Sequence, residues 1–442
     1  MTLRKFSLKF ITSMILYLFT LSPIFSIQTT SLWKNQPEKK ILSNGLTLIY
    51  QKDLSSAITV VQILIKGGKG SEPEGKDGLA YLTTRLAIEI PDRGKLQDLM
   101  SQASSVSWMS KGDYSLINIR SLSENLDKTL KITTQIMLNP LFSGLRIERI
   151  KKLMNHQRKR QEDDPINVGH NDCLEKFFTK TGYGGSVLGS EESLKAIKKK
   201  DIKNFYENYF RAGNMVVAVT SDLEKESLIE ILNKYFTKFP AGKPSESKQK
   251  DVSIPEERKT FIEKDTKQFF ISLAFPLPKI TSKNFVLASI VENLLGEGVA
   301  SRLWALRYRK KLAYNVNSRA TRMKDGGILE AYLETDKEKK EVALEALKEV
   351  LNNLFENGIK EEELKVTKTN TKASFLRHNE TKETRARNLA SFEALGLGYE
   401  YLNKFSLEID TIVLDEINTY IKDVLNPEKG VEVVIGPKEE IL

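Results

Sequence analysis

Twice along this chain, β-branched segments suited to strands are followed by a run of helical patterns, and a polar stretch separates the two passes. That order constrains the fold more than any other feature. Strands with one apolar face need helices to cover it, so each pass describes a sheet with its own helical layer. The first pass opens with strands at Leu46–Tyr50 and Ile58–Lys66. A turn over Gly67–Gly78 leads into a helix from Leu79, and Val106–Lys111 with Tyr114–Ser121 reads as a hairpin around Gly112–Asp113. Helices follow at Glu124–Met137, Leu145–Glu162, Asp172–Thr179 and Lys200–Phe210, then a buried strand at Asn214–Thr220. The pass closes on an amphipathic helix, Glu224–Phe239, with Leu228, Ile229, Leu232, Tyr235 and Phe236 on one stripe. The second pass gives a strand at Gln268–Phe275, helices at Lys283–Leu295 and Ala300–Arg309, and a strand pair at Leu312–Thr321 and Gly327–Glu334. Long charged helices then run over Lys337–Phe355, Lys360–His378 and Thr381–Leu395. The separating stretch, Phe239–Glu257, is rich in Pro, Ser, Gly and charge and has no apolar period. The expectation is an α+β protein of two domains, 40–240 and 258–442, joined by a linker at 241–257, each an antiparallel sheet with helices on one face.

Residues 1–26 read differently. Three basic residues lead into an apolar stretch, Phe10–Phe25, that Pro23 interrupts and that is too short for a comfortable span of about 20 residues. With the small Ser26 after it, this is the pattern of a secretory signal peptide, although Ile24 departs from the usual small residue. A retained anchor or a buried helix is the alternative. The signal reading makes the protein exported and periplasmic, with no stable transmembrane anchor once the signal is removed. Composition narrows the function further. The net charge is +10, or +7 from Ile27 onward because residues 1–26 hold three bases and no acid. That excess suits an acidic partner without singling out nucleic acid. The basic runs Lys151–Arg160 and Lys195–Lys203 fit solvated helix faces, and no nucleic-acid motif accompanies them. A single cysteine, Cys173, excludes an internal disulfide framework and a four-cysteine zinc site. Neither a phosphate-binding loop nor a GxSxG nucleophile elbow is present.

Five segments point to a family. GSEPEGKDGLAYL (Gly70–Leu82), EDDP (Glu162–Pro165), GYGGSVLGSEESLKAI (Gly182–Ile197), DIKNFYENYFRAGNMVVAV (Asp201–Val219) and SRLWALRYRKKLAYNV (Ser301–Val316) occur in order within residues 40–435. This ordered set resembles the insulinase/pitrilysin family of zinc metallopeptidases, which includes the mitochondrial processing peptidases and two-domain bacterial homologues. The resemblance implies two homologous α/β roll domains that close like a clamshell over a peptide chamber. Active members carry H-x-x-E-H on a helix. Two His at i and i+4 hold Zn²⁺, and the Glu is the general base for its bound water. A Glu on a later helix is the third protein ligand.

This chain departs from that motif. GLAHFLEH is here GLAYLTTR, so the motif positions are Tyr81, Thr84 and Arg85, and the third-ligand position falls at Gln157, with His156 beside it. Thr84 cannot serve as a carboxylate base, and the permanent charge of Arg85 repels a cation. Arg85 is instead expected either as a surface arginine or in the vacated metal position, where it would offer its charge to acids such as Glu89, four residues on. His170 and His378 read as surface or helix-cap histidines, and Cys173 as a small buried residue.

The second half retains one feature of active members. Arg307 and Tyr314 stand seven apart in LRYRKKLAY. In the family such a pair lies on the domain or subunit that faces the zinc. A guanidinium can hold a substrate carbonyl, and a phenol can donate to the oxyanion formed when water attacks. The alternative is a solvated basic helix end followed by an ordinary strand tyrosine. The resemblance therefore implies a non-catalytic subunit with no cofactor of its own. It would complete a peptide-binding chamber with a zinc-bearing homologous partner, to which Arg307 and Tyr314 reach in trans. A scaffold or peptide-binding pseudoenzyme of the cell envelope is the competing expectation.

Overall fold

The computed structural model describes residues 33, 35–90, 92–178, 182–243, 245 and 252–438. The candidate signal at 1–26 and parts of the linker lie outside the described residues. In the first half, β1 (Glu38–Ile41), β2 (Thr47–Lys52) and β3 (Ile58–Ile65) precede α1 (Leu79–Ile88) and α2 (Arg93–Ser101). The hairpin β4 (Ser105–Ser110) and β5 (Ser115–Leu122) leads to α3 (Leu126–Leu138), α4 (Gly144–Glu162) and α5 (Pro165–Phe178). The half ends with α6 (Glu191–Ala196), α7 (Lys199–Tyr209), β6 (Met215–Ser221) and α8 (Lys225–Phe236). The second half begins with β7 (Lys259–Glu263), β8 (Phe269–Leu277), α9 (Ser282–Gly296) and α10 (Trp304–Tyr308). It continues through β9 (Asn315–Met323), β10 (Gly326–Thr335), α11 (Lys340–Asn357), α12 (Glu361–Arg377) and α13 (Lys382–Ala394), and closes with α14 (Tyr401–Thr411), α15 (Leu414–Val424) and β11 (Val431–Gly436). Among the described residues no helix is long and apolar enough to cross a membrane.

The protein is α+β, and its two sheets follow one ground plan. The first is ordered β1-β2-β6-β3-β5-β4 and the second β7-β11-β8-β10-β9. Without β1, each strand of the first sheet has a counterpart in the second at the same place. Both sheets are antiparallel except for one pair, β2 with β6 and β7 with β11, which run parallel. Three strands, β1, β7 and β11, lie beyond those expected. All four residues of β1 are exposed and β7 alternates between exposed and half-buried, so neither shows an apolar run. Helix α10 is only five residues long, and α5 starts at Pro165 rather than Asp172 because proline's fixed φ suits a first helical turn.

The expectation of helices on one face is incomplete. One face of the first sheet packs Val61, Ile63, Ile117, Val217 and Val219 against Leu126 and Leu130 of α3 and Leu228, Leu232 and Phe236 of α8. Its other face is covered by α13, which comes from the second half. Lys382 donates to the carbonyls of Ser56 (2.7 Å) and Ile58 (2.9 Å), Asn118 donates to Glu383 (3.1 Å), and Arg385 pairs with Asp53. Reciprocally, α5 from the first half lies on β8, β10 and β11. Cys173, Leu174, Phe177 and Phe178 form one cluster there with Phe270, Ala274, Tyr332, Val431, Val433 and Ile435.

His170 of α5 is accordingly not a surface or cap histidine. Its Nδ1 meets Oε2 of Glu330, which is fully buried on β10 and also receives Nε of Arg319 at 3.1 Å. Burial pushes the Glu330 carboxyl up. The hydrogen bond and charge of His170, with the guanidinium of Arg319, outweigh that and hold it below its ordinary range. His378 does cap a helix end, its Nδ1 lying 2.8 Å from the Ser374 carbonyl at the close of α12.

Gly169 shows how close the exchanged helix sits. A Cβ there would lie 2.3 Å from Cε1 of Phe270. Gly169→Ala is expected to lower the unfolding free energy by about 1–3 kcal/mol through overpacking, although alanine is the better helix former; urea denaturation of the purified chain measures it.

Candidate functional site

Helix α1 is set by its first turn. Gly78 caps it at φ 93°, a left-handed shape that glycine takes without strain. The Glu72 carboxyl oxygens accept from the backbone N–H groups of Gly78 (3.0 Å) and Ala80 (2.8 Å), satisfying donors that a helix start leaves unpaired. The helix is buried along nearly its whole length and touches α4, α7 and β4.

The motif positions converge on this buried helix. The Tyr81 hydroxyl donates to Oε1 of Gln157 on α4 at 3.0 Å. The helix and the later helix that would share a zinc ion thus meet through a neutral hydrogen bond. His156 points outward and is exposed, so Gln157 is the residue that faces Tyr81. Thr84 is fully buried, and its hydroxyl has no hydrogen-bond partner among the described residues. Arg85 is half-buried, with its guanidinium 4.8 Å above the Trp108 ring on β4. The expected pairing of Arg85 with Glu89 does not form. Glu89 ends α1 in an extended conformation and pairs with Arg146 (3.6 Å) and Arg149 of α4.

This donor set does not fit zinc. A phenol committed to an amide, a hydroxyl and a guanidinium offer no neutral imidazole and no carboxylate. Among the described residues no three His, Cys, Asp or Glu side chains converge as ligands would.

Beside the start of α1 lies an open cavity of about 810 Å³, walled by α1's approach, the ends of α4 and α5, and the glycine-rich stretch from Gly182. Its charges are largely paired: Lys69 with Asp77 at 2.5 Å, and Arg158 with Glu162. Burial drives the Glu72 carboxyl up to about 8 against the pull of Lys69 and the two amides, and burial also raises Glu175. Neither Glu72 nor Trp108 was singled out by the sequence. Glu72 precedes its cap by six residues, outside the three-residue spacing of a capping box.

Arg307 and Tyr314 are held apart from this region. Arg307 is exposed on α10 and lies 5.1 Å over the Trp304 ring. Tyr314, 56% exposed, donates its hydroxyl to Asp336 at 3.1 Å. Neither lines the cavity, and no described contact joins the two.

Comparisons with known proteins show what the chain resembles. Residues 47–191 match the family model described as Insulinase (Peptidase family M16), and residues 196–371 match that of the Peptidase M16 inactive domain. A Helicobacter pylori protein named non-peptidase homolog YmxG is 24% identical over 381 residues, covering 85% of this chain and 88% of that one. A probable mitochondrial-processing peptidase subunit beta of Arabidopsis thaliana is 21% identical over 314 residues, covering 67% and 59%. The crystal structure of a peptidase M16 inactive domain from Pseudomonas fluorescens superposes with a TM-score of 0.83 at 21% identity, covering 91% of this chain and 98% of that one.

Glu72 gives the site a pH dependence. Folded, it keeps its proton up to about pH 8; its ordinary value is 4.5. Between these values the folded state binds more protons than the unfolded state, so stability falls as pH rises through the window. Glu72→Gln is expected to flatten that decline in a series of urea midpoints measured across it.

Proposed function

The chain belongs to the insulinase (M16) peptidase family as a non-catalytic member, and we propose that it serves as the substrate-side subunit of a zinc-dependent peptidase. It would form half of a peptide chamber with a homologous partner that carries an intact H-x-x-E-H. The observation that carries this reading is the Tyr81–Gln157 hydrogen bond, which occupies the place of the ligands and leaves the surrounding architecture whole. Strand β4 supports it. As the edge of its sheet, β4 has one side free to pair with an extended peptide, directly beside α1. The exposure of Arg307 and Tyr314 makes both accessible to a chamber completed by another chain. The name of the Arabidopsis relative, a subunit, points the same way. Export to the periplasm belongs to this proposal and rests on residues 1–26.

A scaffold or peptide-binding pseudoenzyme is the second reading. What favours it is that Arg307 and Tyr314 already have local partners, Trp304 and Asp336.

Reconstitution separates the two. Mixed with a zinc-bearing homologue from the same source, this chain is expected to raise peptide hydrolysis. Arg307→Ala and Tyr314→Phe should each lower kcat about a hundredfold, the scale for loss of one oxyanion donor. Full activity with both substitutions would remove the catalytic role and leave the scaffold.

A further inference from the structure

Arg85 has a cation's charge and no anion to meet it. It forms no hydrogen bond or ion pair with any described residue, and the nearest acid in sequence on α1, Glu89, is taken by Arg146 and Arg149. Trp108 lies beneath its guanidinium, 4.8 Å from ring centroid to Cζ, a contact that uses none of its N–H donors in a hydrogen bond to a described residue. Among the described residues two further buried donors, one on α1 and one on β4, lack acceptors. The Thr84 hydroxyl, adjacent in sequence and fully buried, is one, and the buried indole N–H of Trp108 is the other. A half-buried guanidinium that meets no anion calls for an acceptor with negative charge and more than one oxygen.

Strand β4 says how such a group would arrive. It is the edge of the six-stranded sheet, and Trp108 stands in the middle of it. A peptide that extends the sheet along β4 would run past the Arg85–Trp108 stack, with main-chain hydrogen bonds supplying part of its affinity. We propose that Arg85, stacked on Trp108, is a carboxylate-binding site for extended peptides, taking either the C-terminal carboxylate or an acidic side chain. The guanidinium presents paired N–H donors to both carboxylate oxygens, and the tryptophan restrains it in the orientation that does so. This inference rests on the peptide-chamber reading and names the class of peptide that reading would favour.

The test uses the purified chain and three short acetylated Val/Thr peptides: one with a free C-terminus, one amidated, and one amidated with Glu as its last residue. Binding is followed by calorimetry. The free acid is expected to bind at least about tenfold more tightly than the plain amide, the scale of a charged hydrogen bond. Arg85→Met should bring the free acid down to the amide's affinity. Arg85→Lys, which keeps the charge but loses the paired donors, should recover only part of the difference. Circular dichroism checks that both variants are folded. If the Glu-bearing amide matches the free acid, the site takes an acidic side chain; if it matches the plain amide, the site takes the chain terminus. Equal binding of all three peptides to the native chain would overturn the carboxylate site while leaving the peptide chamber standing. Failure of all three peptides to bind would overturn the carboxylate site, and the reconstitution with a zinc-bearing homologue then decides the chamber reading by itself.

Discussion

A sheet has two faces, and in this protein each half of the chain can cover only one face of its own. The second face of the first sheet lies under α13, and the second face of the second sheet lies under α5. The two exchanges differ in chemistry. Under α5 the contact is apolar, built on Phe177, Phe178 and Phe270, whose full burial is worth roughly 1.5–3 kcal/mol each. One charged group sits within it, Glu330 with His170 and Arg319. Removing both partners would strand a buried charge, at a cost of about 3–5 kcal/mol for a broken buried pair. Under α13 the anchoring is polar, through Lys382, Glu383 and Arg385.

The candidate site depends on that exchange. Helices α4 and α5 are consecutive, turned by the Asp164 side chain, which accepts from the Ile166 N–H at 3.0 Å. With α5 locked to the second sheet, α4 approaches α1 at a fixed place and Gln157 meets Tyr81. The site has also been re-satisfied internally. At the motif positions that the family resemblance implies, this chain has a phenol donating to an amide and a guanidinium lying over an indole. The helix stays buried because these substitutions leave the positions occupied by side chains of substantial volume, avoiding a cavity beneath it.

Much of this was legible in the sequence, and the rest was hidden for physical reasons. The β-branched runs that became β3 and β6 are central strands buried on both faces, so their apolar character is nearly continuous. Strands β1 and β7 lie at sheet edges, where solvent on one side permits charged residues such as those of Glu38–Ile41. The motif positions Tyr81, Thr84, Arg85 and Gln157 could be placed by alignment to the family pattern, because helical spacing fixes which of them share a face. The roles of Trp108, Glu72 and His170 could not. Trp108 meets Arg85 only once β4 is laid beside α1, and His170 meets Glu330, 160 residues away, only through the exchange of helices. No local pattern encodes a partner on another sheet.

The exchange also bears on the order in which the molecule can be completed during synthesis. A chain made or threaded from its N-terminus forms the whole of the first sheet by Ser221, yet the helix that covers its second face begins at Lys382. Until then Val60, Leu64 and Val216 of that face have no lid, and α5, already made, has no sheet to lie on. The first half therefore cannot finish as an independent unit, as domains of large proteins usually do. Its last contacts wait for the final quarter of the chain, so the two halves reach their native state together, and a nascent intermediate must be kept from sticking through the face it still presents.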